Sequence, residues 1–303
     1  MKVALITSWN ERCGIAEYAK NLIENCPTIE FEIIPRQLDF NNALEEIKSC
    51  DVVQLNYEPG ILGHWDHNVI RSLNKPSVLT LHTSHDGNNE SVFTSAFSKV
   101  VVHEQTQEGF TFIPMGIPKA IREDKVTIHF DVGTVGFPFP WKGFDEVSAA
   151  CQKINASCLI IAPESRHANT KEMKDYLLSK YRNVTYISEW LDQDKVISLL
   201  EGCSISAFLY HGGNFGISAA CRLGLAAGTK IVLTRNRQFR DLYSYEDEIQ
   251  FVSNPPNVDE VANTFHHLLS DRITMKPKRV LEDFSWKKAG EIYTKLYEEL
   301  LNG

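Results

Sequence analysis

The chain has 303 residues with a net charge of −8, and its hydrophobic content of 43% is that of an ordinary globular protein. The length accommodates two domains, and the acidic balance gives no general basic surface for nucleic acid, although it does not exclude a local basic groove. Seven scattered cysteines without a CxxC pair indicate reduced thiols in the cytoplasm, not a disulfide framework or a zinc site. No apolar run is long enough to predict a transmembrane segment.

Short β-branched runs alternate with helical patterns, which favours parallel sheets covered by helices. In the first part we predict strands at 3–7, 31–35, 52–56, 78–82, 99–103 and 111–113, and helices at 14–25, 41–49, 64–74 and 91–97. In the second part we predict strands at 129–135, 157–162, 183–187, 204–209, 230–234 and 249–252, and helices at 143–154, 169–180, 192–201, 217–227, 257–270 and 286–301.

The segment 114–128 combines two prolines, a glycine and mixed charge, which is typical of a linker. We therefore expect one doubly wound α/β domain over 1–118 and a second over 126–285. Such domains bind ligands at the carboxyl ends of their strands. Two of them facing each other would leave a cleft at these ends.

The loop after the first strand contains Gly14, which opens the first predicted helix. A glycine at this place allows the backbone to approach a ligand closely. A GxGxxG fingerprint is absent, so the loop does not predict a dinucleotide site. A glycine that merely starts a helix is the alternative interpretation.

Polar side chains also follow two other strands of the first domain. His82 and His85 lie in the run LHTSHD at the end of the fourth strand, and Glu58 follows the third strand. Imidazoles donate, accept or shuttle protons near neutral pH, so the position favours a functional role, for His82 over His85. Glu58 offers a carboxylate near the same end of the sheet.

In the second domain, the run GFPFPWKGFDE at 136–146 ends a predicted strand and begins a predicted helix, with Lys142 between them. An ammonium group beside free N–H groups and the positive end of a helix dipole is suited to binding phosphate. A solvated loop lysine is the alternative.

A glycine-rich run, YHGGNFGIS at 210–218, precedes another helix and exposes backbone N–H groups to an anion. Ser218 is a natural N-cap for that helix, whereas Arg222 either points toward the ligand or lies on the helix surface. A flexible loop with a capped helix is the alternative interpretation. The predicted ligand contacts in this region are Gly213, Asn214, Phe215, Gly216, Ile217, Ser218 and Arg222.

A further strand end carries Glu189, Trp190 and Leu191. The backbone and the indole ring of this loop could receive a nucleobase and its ribose. The alternative is a plain helix N-terminus with Asp192 as its cap.

Taken in order, these motifs resemble the GT-B glycosyltransferases, specifically the retaining family 4 type. The matching runs span nearly the whole chain and are CGIAEYAKNL, VVQLNYEPG, VLTLHTS, FIPMGIP, GFPFPWKGFDE, SEWLDQDKV, SAACRLGLAAGTKIVLT and FSWKKAGEIYTKLYEEL. The resemblance implies two Rossmann-like domains facing across a cleft, an N-terminal acceptor domain and a C-terminal donor domain. It also implies that the final helix, 286–303, packs back on the first domain.

The resemblance further implies roles for single residues. Lys142 would hold the diphosphate of a nucleotide-sugar donor, Gly14 would approach the same diphosphate, and His82 would contact the transferred sugar near the reacting carbon. We assign the acceptor side to Glu11, Arg12, Glu58 and His85.

Two features depart from the family pattern. The family usually carries two glutamates in an E-x7-E spacing around the glycine loop, but the two possible registers place Gly213 and Cys221, or Phe215 and Leu223, there. A related subset carries Ser-Ala-x-x-Arg-Leu, which 218–223 matches, so the recognition of sugar and ribose is left open. Only 104–109 separate the fifth and sixth strands, where relatives place a helix, which indicates an open acceptor side.

The resulting hypothesis is a hexosyltransferase that moves a sugar from a UDP- or GDP-sugar to an acceptor hydroxyl with retention, without a metal ion or any cofactor besides the donor. The acceptor is left open between a glycan, a lipid-linked sugar and a nucleic-acid base. One alternative is a transferase for a modified nucleic-acid base or nucleotide, and another is a catalytically weak nucleotide-sugar-binding member. A Rossmann oxidoreductase is disfavoured by the absent glycine fingerprint.

Overall fold

The computed structural model describes residues 1–38, 40–58, 67–83, 94–104, 109–120, 128–165, 168–212, 216–270 and 276–302. The chain forms two compact units. The first comprises Met1–Gly116, Phe215–Ile217 and Phe284–Gly303, and the second comprises Ile117–Asn214 and Ser218–Asp283. Each unit contains one six-stranded sheet of parallel strands, which confirms the predicted two-domain α/β fold.

The first unit is built around strands in the order β2-β1-β3-β4-β5-β6. Every strand predicted here begins and ends within one residue of the observed strand. The elements are β1 Lys2–Thr7, α1 Gly14–Asn25, β2 Glu30–Pro35, α2 Phe40–Lys48, β3 Val52–Tyr57, α3 His67–Ser72, β4 Ser77–Leu81, β5 Lys99–Val102 and β6 Thr111–Phe112. The first three residues of the predicted helix at 91–97 lie outside the described residues.

The second unit has the strand order β12-β11-β10-β7-β8-β9. Counted from β7 along the chain, this is the 3-2-1-4-5-6 order of the Rossmann fold, whose direction reverses between β7 and β10. The elements are β7 Phe130–Val135, α4 Phe144–Lys153, β8 Cys158–Ile161, α5 Thr170–Lys180, β9 Val184–Ile187, α6 Gln193–Glu201, β10 Cys203–Phe208, α7 Ala219–Ala226, β11 Lys230–Thr234, β12 Ile249–Val252, α8 Val258–Ser270 and α9 Lys278–Asp283.

The last helix, α10 (Trp286–Asn302), belongs to the first unit and packs on α1. The fit is close, because a Cβ on Gly290 would lie 2.1 Å from the carbonyl oxygen of Asn25. Trp286 contacts Tyr18 of α1 with ring centroids 4.8 Å apart, and α10 joins the core of one sheet face. The helix thus covers the first sheet together with α1.

Three short elements of the second unit escaped prediction. They are α9 and two 3-10 helices, Pro140–Lys142 and Arg237–Tyr245. The longest of them has 9 residues, which is shorter than the window of about 11–18 residues in which a hydrophobic period can be recognised. Among the described residues, none of the helices combines the length and the apolar character needed to cross a bilayer.

Candidate functional site

The ammonium group of Lys142 lies between two aromatic faces in the second unit. Its Nζ is 3.8 Å from the ring centroid of Tyr210 and 4.5 Å from that of Trp141. The side chain is half-buried, and within the described ranges no carboxylate pairs with it. Burial lowers the pKa of Lys142 to about 7, because removing water disfavours the charged form. A cation without an acidic partner is a good receptor for an anion.

The backbone before α4 explains why Lys142 takes this position. Pro140 begins the 3-10 turn that contains Lys142, and Gly143 ends it in the left-handed region at φ 74°. A Cβ on residue 143 would lie 2.1 Å from the carbonyl oxygen of Leu209, directly after β10. Only glycine therefore lets the start of α4 pack on the end of β10, which brings Lys142 to the point where the strand order reverses.

The start of α4 carries no side-chain cap. The first N–H groups of a helix lack intrahelical partners, and they carry the positive end of its dipole. Asp145 and Glu146 occupy the first turn, as this dipole favours. The helix start therefore adds N–H donors next to the lysine that precedes it.

Tyr210, which faces the ammonium group, is held by the start of α7. Its hydroxyl lies 3.0 Å from Oγ of Ser218, and Ser218 Oγ accepts a hydrogen bond from the Cys221 amide at 3.3 Å. The prediction that Ser218 caps this helix is confirmed. Ser218 is buried, and Gly213, Asn214 and Phe215 lie outside the described residues.

Arg222 does not lie on the surface of α7, one of the two placements that the sequence allowed. Its side chain is only 2% exposed and forms an ion pair with Asp241, which is 1% exposed. The partner comes from the 3-10 helix Arg237–Tyr245, which was not predicted. This guanidinium has a protein carboxylate as its partner, so its contact with a donor remains a prediction.

The predicted nucleobase loop contains an aromatic contact that the sequence did not reveal. The ring of Trp190, after β9, lies 6.1 Å from that of Phe137, after β7. Glu189 is exposed and Leu191 is half-buried. Asp192 occupies the N-cap of α6, but its side chain makes no capping hydrogen bond.

In the first unit, His82 follows β4 and packs edge-on against Tyr18, with ring centroids 4.6 Å apart and an interplanar angle of 80°. Its Nε2 is buried without a hydrogen-bond partner among the described residues. Burial, and to a smaller extent His103, lower the pKa of His82. The imidazole is therefore neutral near pH 7.

Gly216 of the glycine-rich run belongs to the first unit and lies beside His82. A Cβ on residue 216 would lie 1.9 Å from the carbonyl oxygen of His82, so no other residue permits this approach. The structure thus brings together two residues that the sequence placed in the site from distant parts of the chain. Ile217 is buried.

The remaining candidates that the structure describes in the first unit follow β1 and β3. Gly14 is the exposed first residue of α1. Glu11 accepts two hydrogen bonds of 2.7 Å from Arg36, a partner that the sequence analysis did not identify. Arg12 is exposed, Glu58 is half-buried, and His85 lies outside the described residues. The assignment of these residues to the acceptor side remains a prediction.

Comparison with known proteins shows similarity at the level of structure. A scan against models of protein families found no match, and a search of curated proteins found none. The first of three similar structures is sucrose-phosphate synthase from Thermosynechococcus elongatus, with a TM-score of 0.75 and 15% identity over 100% of this chain and 99% of that one.

The second is HepE from Anabaena in complex with UDP, with a TM-score of 0.77 and 13% identity over 99% of this chain and 100% of that one. The third is the UDP-forming α,α-trehalose-phosphate synthase from Burkholderia xenovorans, with a TM-score of 0.71 and 11% identity over 98% of this chain and 100% of that one. These similarities extend over both units, and they show that the chain has the GT-B fold of glycosyltransferases.

Proposed function

We propose that the protein is a retaining glycosyltransferase of the family 4 type, which transfers a sugar from a UDP- or GDP-sugar to an acceptor hydroxyl. The observation that carries this proposal is the state of Lys142. It is a half-buried cation between two aromatic rings, without a carboxylate partner in the described part of the chain, where a Rossmann-type strand order reverses. Ligands of such sheets bind at this point.

A diphosphate matches this environment electrostatically. Burial disfavours the charged amine of Lys142, and a bound dianion would restore the charged form. In glycosyl transfer the diphosphate is the leaving group, and negative charge grows on it as its bond to the anomeric carbon breaks. A fixed ammonium group and the N–H groups at the start of α4 stabilise that charge without reorganising.

The GT-B neighbours favour a uridine nucleotide as the first donor to test. HepE has been crystallised with UDP and with UDP-glucose, and the trehalose-phosphate synthase is described as UDP-forming. At 11–15% identity this is an analogy of fold. The missing E-x7-E glutamates keep both the sugar and the nucleotide open.

His82 supplies the sugar contact in this proposal. Its neutral imidazole has one buried nitrogen, Nε2, without a partner among the described residues, and it can bond a sugar hydroxyl without adding charge. The acceptor oxygen forms its bond to the anomeric carbon on the face that the diphosphate leaves. The proton of the acceptor hydroxyl passes to the departing phosphate oxygen, so no metal ion is required by this step.

A thermal-shift screen against UDP, GDP and ADP and their sugars tests the proposal first. A ligand that binds only the native state raises the melting temperature, so one nucleoside diphosphate should do so well above the others. Release of that nucleotide from its sugar, followed by the configuration of the product, then tests transfer with retention. The absence of any shift with millimolar nucleotides would refute the proposal, and binding without release would indicate the non-catalytic alternative.

A further inference from the structure

The sheet face that α1 and α10 cover changes character toward the carboxyl ends of its strands. Side chains alternate between the two faces of a strand, so this face carries Val3, Leu5, Val52 and Val78 of the core at one end. At the other end the same alternation places fully buried polar residues, which are Thr7, Gln54, Asn56 and Thr80. His82 follows in this series two residues after Thr80.

These polar residues form one hydrogen-bonded network with α10. Thr80 Oγ1 lies 3.0 Å from the hydroxyl of Tyr293, and Gln54 Nε2 donates to Thr80 Oγ1 at 3.3 Å and to Asn56 Oδ1 at 3.0 Å. Tyr297, one turn further along α10, donates to Gln54 Oε1. The last helix of the chain therefore supplies hydrogen-bond partners to the polar side chains at this end of the sheet.

Tyr293 connects this network to His82. Its hydroxyl lies 2.8 Å from that of Tyr18, and the ring of Tyr18 packs against the imidazole of His82. Tyr293 and Tyr18 are buried, and burial raises the pKa of both phenols, so they remain protonated. Each phenol can then donate one hydrogen bond as well as accept one.

We propose that Tyr293 is a positioning residue for His82. Its hydroxyl holds Tyr18, whose ring sets the plane of the imidazole, and it holds Thr80 of β4, which lies two residues before His82. The expected effect of Tyr293 on turnover rests on the proposed function of His82. Its effect on the orientation of the imidazole is independent of that function. The last helix is thus part of the machinery that orients the sugar-binding side chain, in addition to covering the sheet.

The side chain of His82 can be observed directly by carbon-13 NMR of the histidine rings in the full-length protein. The His82→Gln variant identifies its signal among the ten histidines. We expect Tyr293→Phe to shift this signal and its titration midpoint. The matched control is Tyr297→Phe, which removes an equally buried hydroxyl from the same helix but one that contacts Gln54. An unchanged His82 signal in Tyr293→Phe, or an equal shift in both variants, would overturn the proposal.

Kinetics with the donor provide the second arm. Tyr293→Phe should lower kcat roughly tenfold with little change in KM for the donor, because a displaced group loses more in the transition state than in binding. The double variant Tyr18→Phe/Tyr293→Phe should be no slower than Tyr293→Phe alone, because Tyr293→Phe already removes the bond that Tyr18→Phe breaks; additive losses would contradict this. If Tyr293→Phe does not fold, Tyr18→Phe removes the other hydroxyl of the same bond, and the same NMR and kinetic measurements then test the proposal.

A wild-type protein without turnover would refute the proposed function. The NMR measurement would still test the positioning role of Tyr293.

Discussion

The two units use the same kind of parallel sheet but place different chemistry at its carboxyl ends. In the first unit, His82 is neutral and adjoins a network of hydroxyl and amide groups that bond to one another. In the second unit, Lys142 is held by the faces of two aromatic rings, which offer no hydrogen bond.

This difference teaches that one unit is built to orient a side chain, whereas the other is built to hold a positive charge. A hydrogen-bonded network has directions, so it can fix the ring of Tyr18, against which the imidazole of His82 packs. Aromatic faces attract a cation with little directional demand, so Lys142 keeps its donors for a ligand. In the proposed function, the first unit orients the sugar and the second neutralises the diphosphate.

The largest expected effect concerns Arg222, the second cation of this unit that could bind a donor. If Asp241 holds Arg222 in the core, Lys142 is the cation that is left for the ligand. Asp241→Ala removes a buried acidic partner of Arg222, which should lower the free energy of unfolding by about 3–5 kcal/mol. The control is Asp247→Ala, which removes the exposed partner of Arg279 and should cost at most about 1 kcal/mol. Urea unfolding measures both. Equal small losses would mean that Arg222 does not depend on Asp241 and is available to a donor.

A second comparison tests the backbone that presents Lys142. Gly143 and Gly228 both have positive φ, but a Cβ meets a backbone oxygen at 2.1 Å only at Gly143 and nothing within 4 Å at Gly228. Gly228→Ala should cost about 1–2 kcal/mol of unfolding free energy. Gly143→Ala should cost about 3 kcal/mol, because the collision with Leu209 adds to the strain. Similar losses in the two variants would show that the close packing of α4 on β10 is not required.

The third prediction concerns the positive charge of Lys142. Lys142→Met keeps the length and apolar contacts of the side chain but should weaken UDP binding and lower turnover by about 100-fold. Lys153→Met removes an exposed lysine from the end of α4, the helix that follows Lys142, and should leave both UDP binding and turnover unchanged. Calorimetry and nucleotide release measure the two effects. Near-normal turnover in Lys142→Met would refute the assignment.

The smallest effect is a pH dependence of binding. The pKa of Lys142 is lowered to about 7 in the free protein, and a bound diphosphate favours the protonated form. Binding above pH 7 therefore takes up a proton, so the affinity for UDP should fall by up to about tenfold per pH unit between pH 7.5 and 9. Titrations in this range should show the fall in the wild type and its loss in Lys142→Met. An affinity that rises with pH would contradict the sign.

The strands were predictable because alternating and continuous runs of apolar residues can be recognised in a single sequence. All twelve predicted strands, such as those that became β1 and β11, lie within one residue of the observed ones. The position of Lys142 between a strand and a helix followed from the same pattern. Its aromatic neighbour Tyr210 did not, because the pairing depends on the strand order that brings β10 beside β7.

Long-range polar contacts were the part that the sequence did not reveal. Arg222 pairs with Asp241, and Tyr293 bonds to Tyr18 across 275 positions of the chain. The spacing of single polar residues carries no information about such partners. For the same reason the close approach of Gly216 to His82 was not foreseen, although each residue was placed in the site separately.

The most direct test of the central claim is NMR titration of the Lys142 side chain, with nitrogen-15 lysine and with Lys142→Met to identify the signal. In the free protein the pKa of this amine should be about 7, and saturating UDP should raise it by at least one unit. Such a rise would place the diphosphate at Lys142. A pKa of Lys142 that UDP does not change, although UDP binds, would contradict the claim.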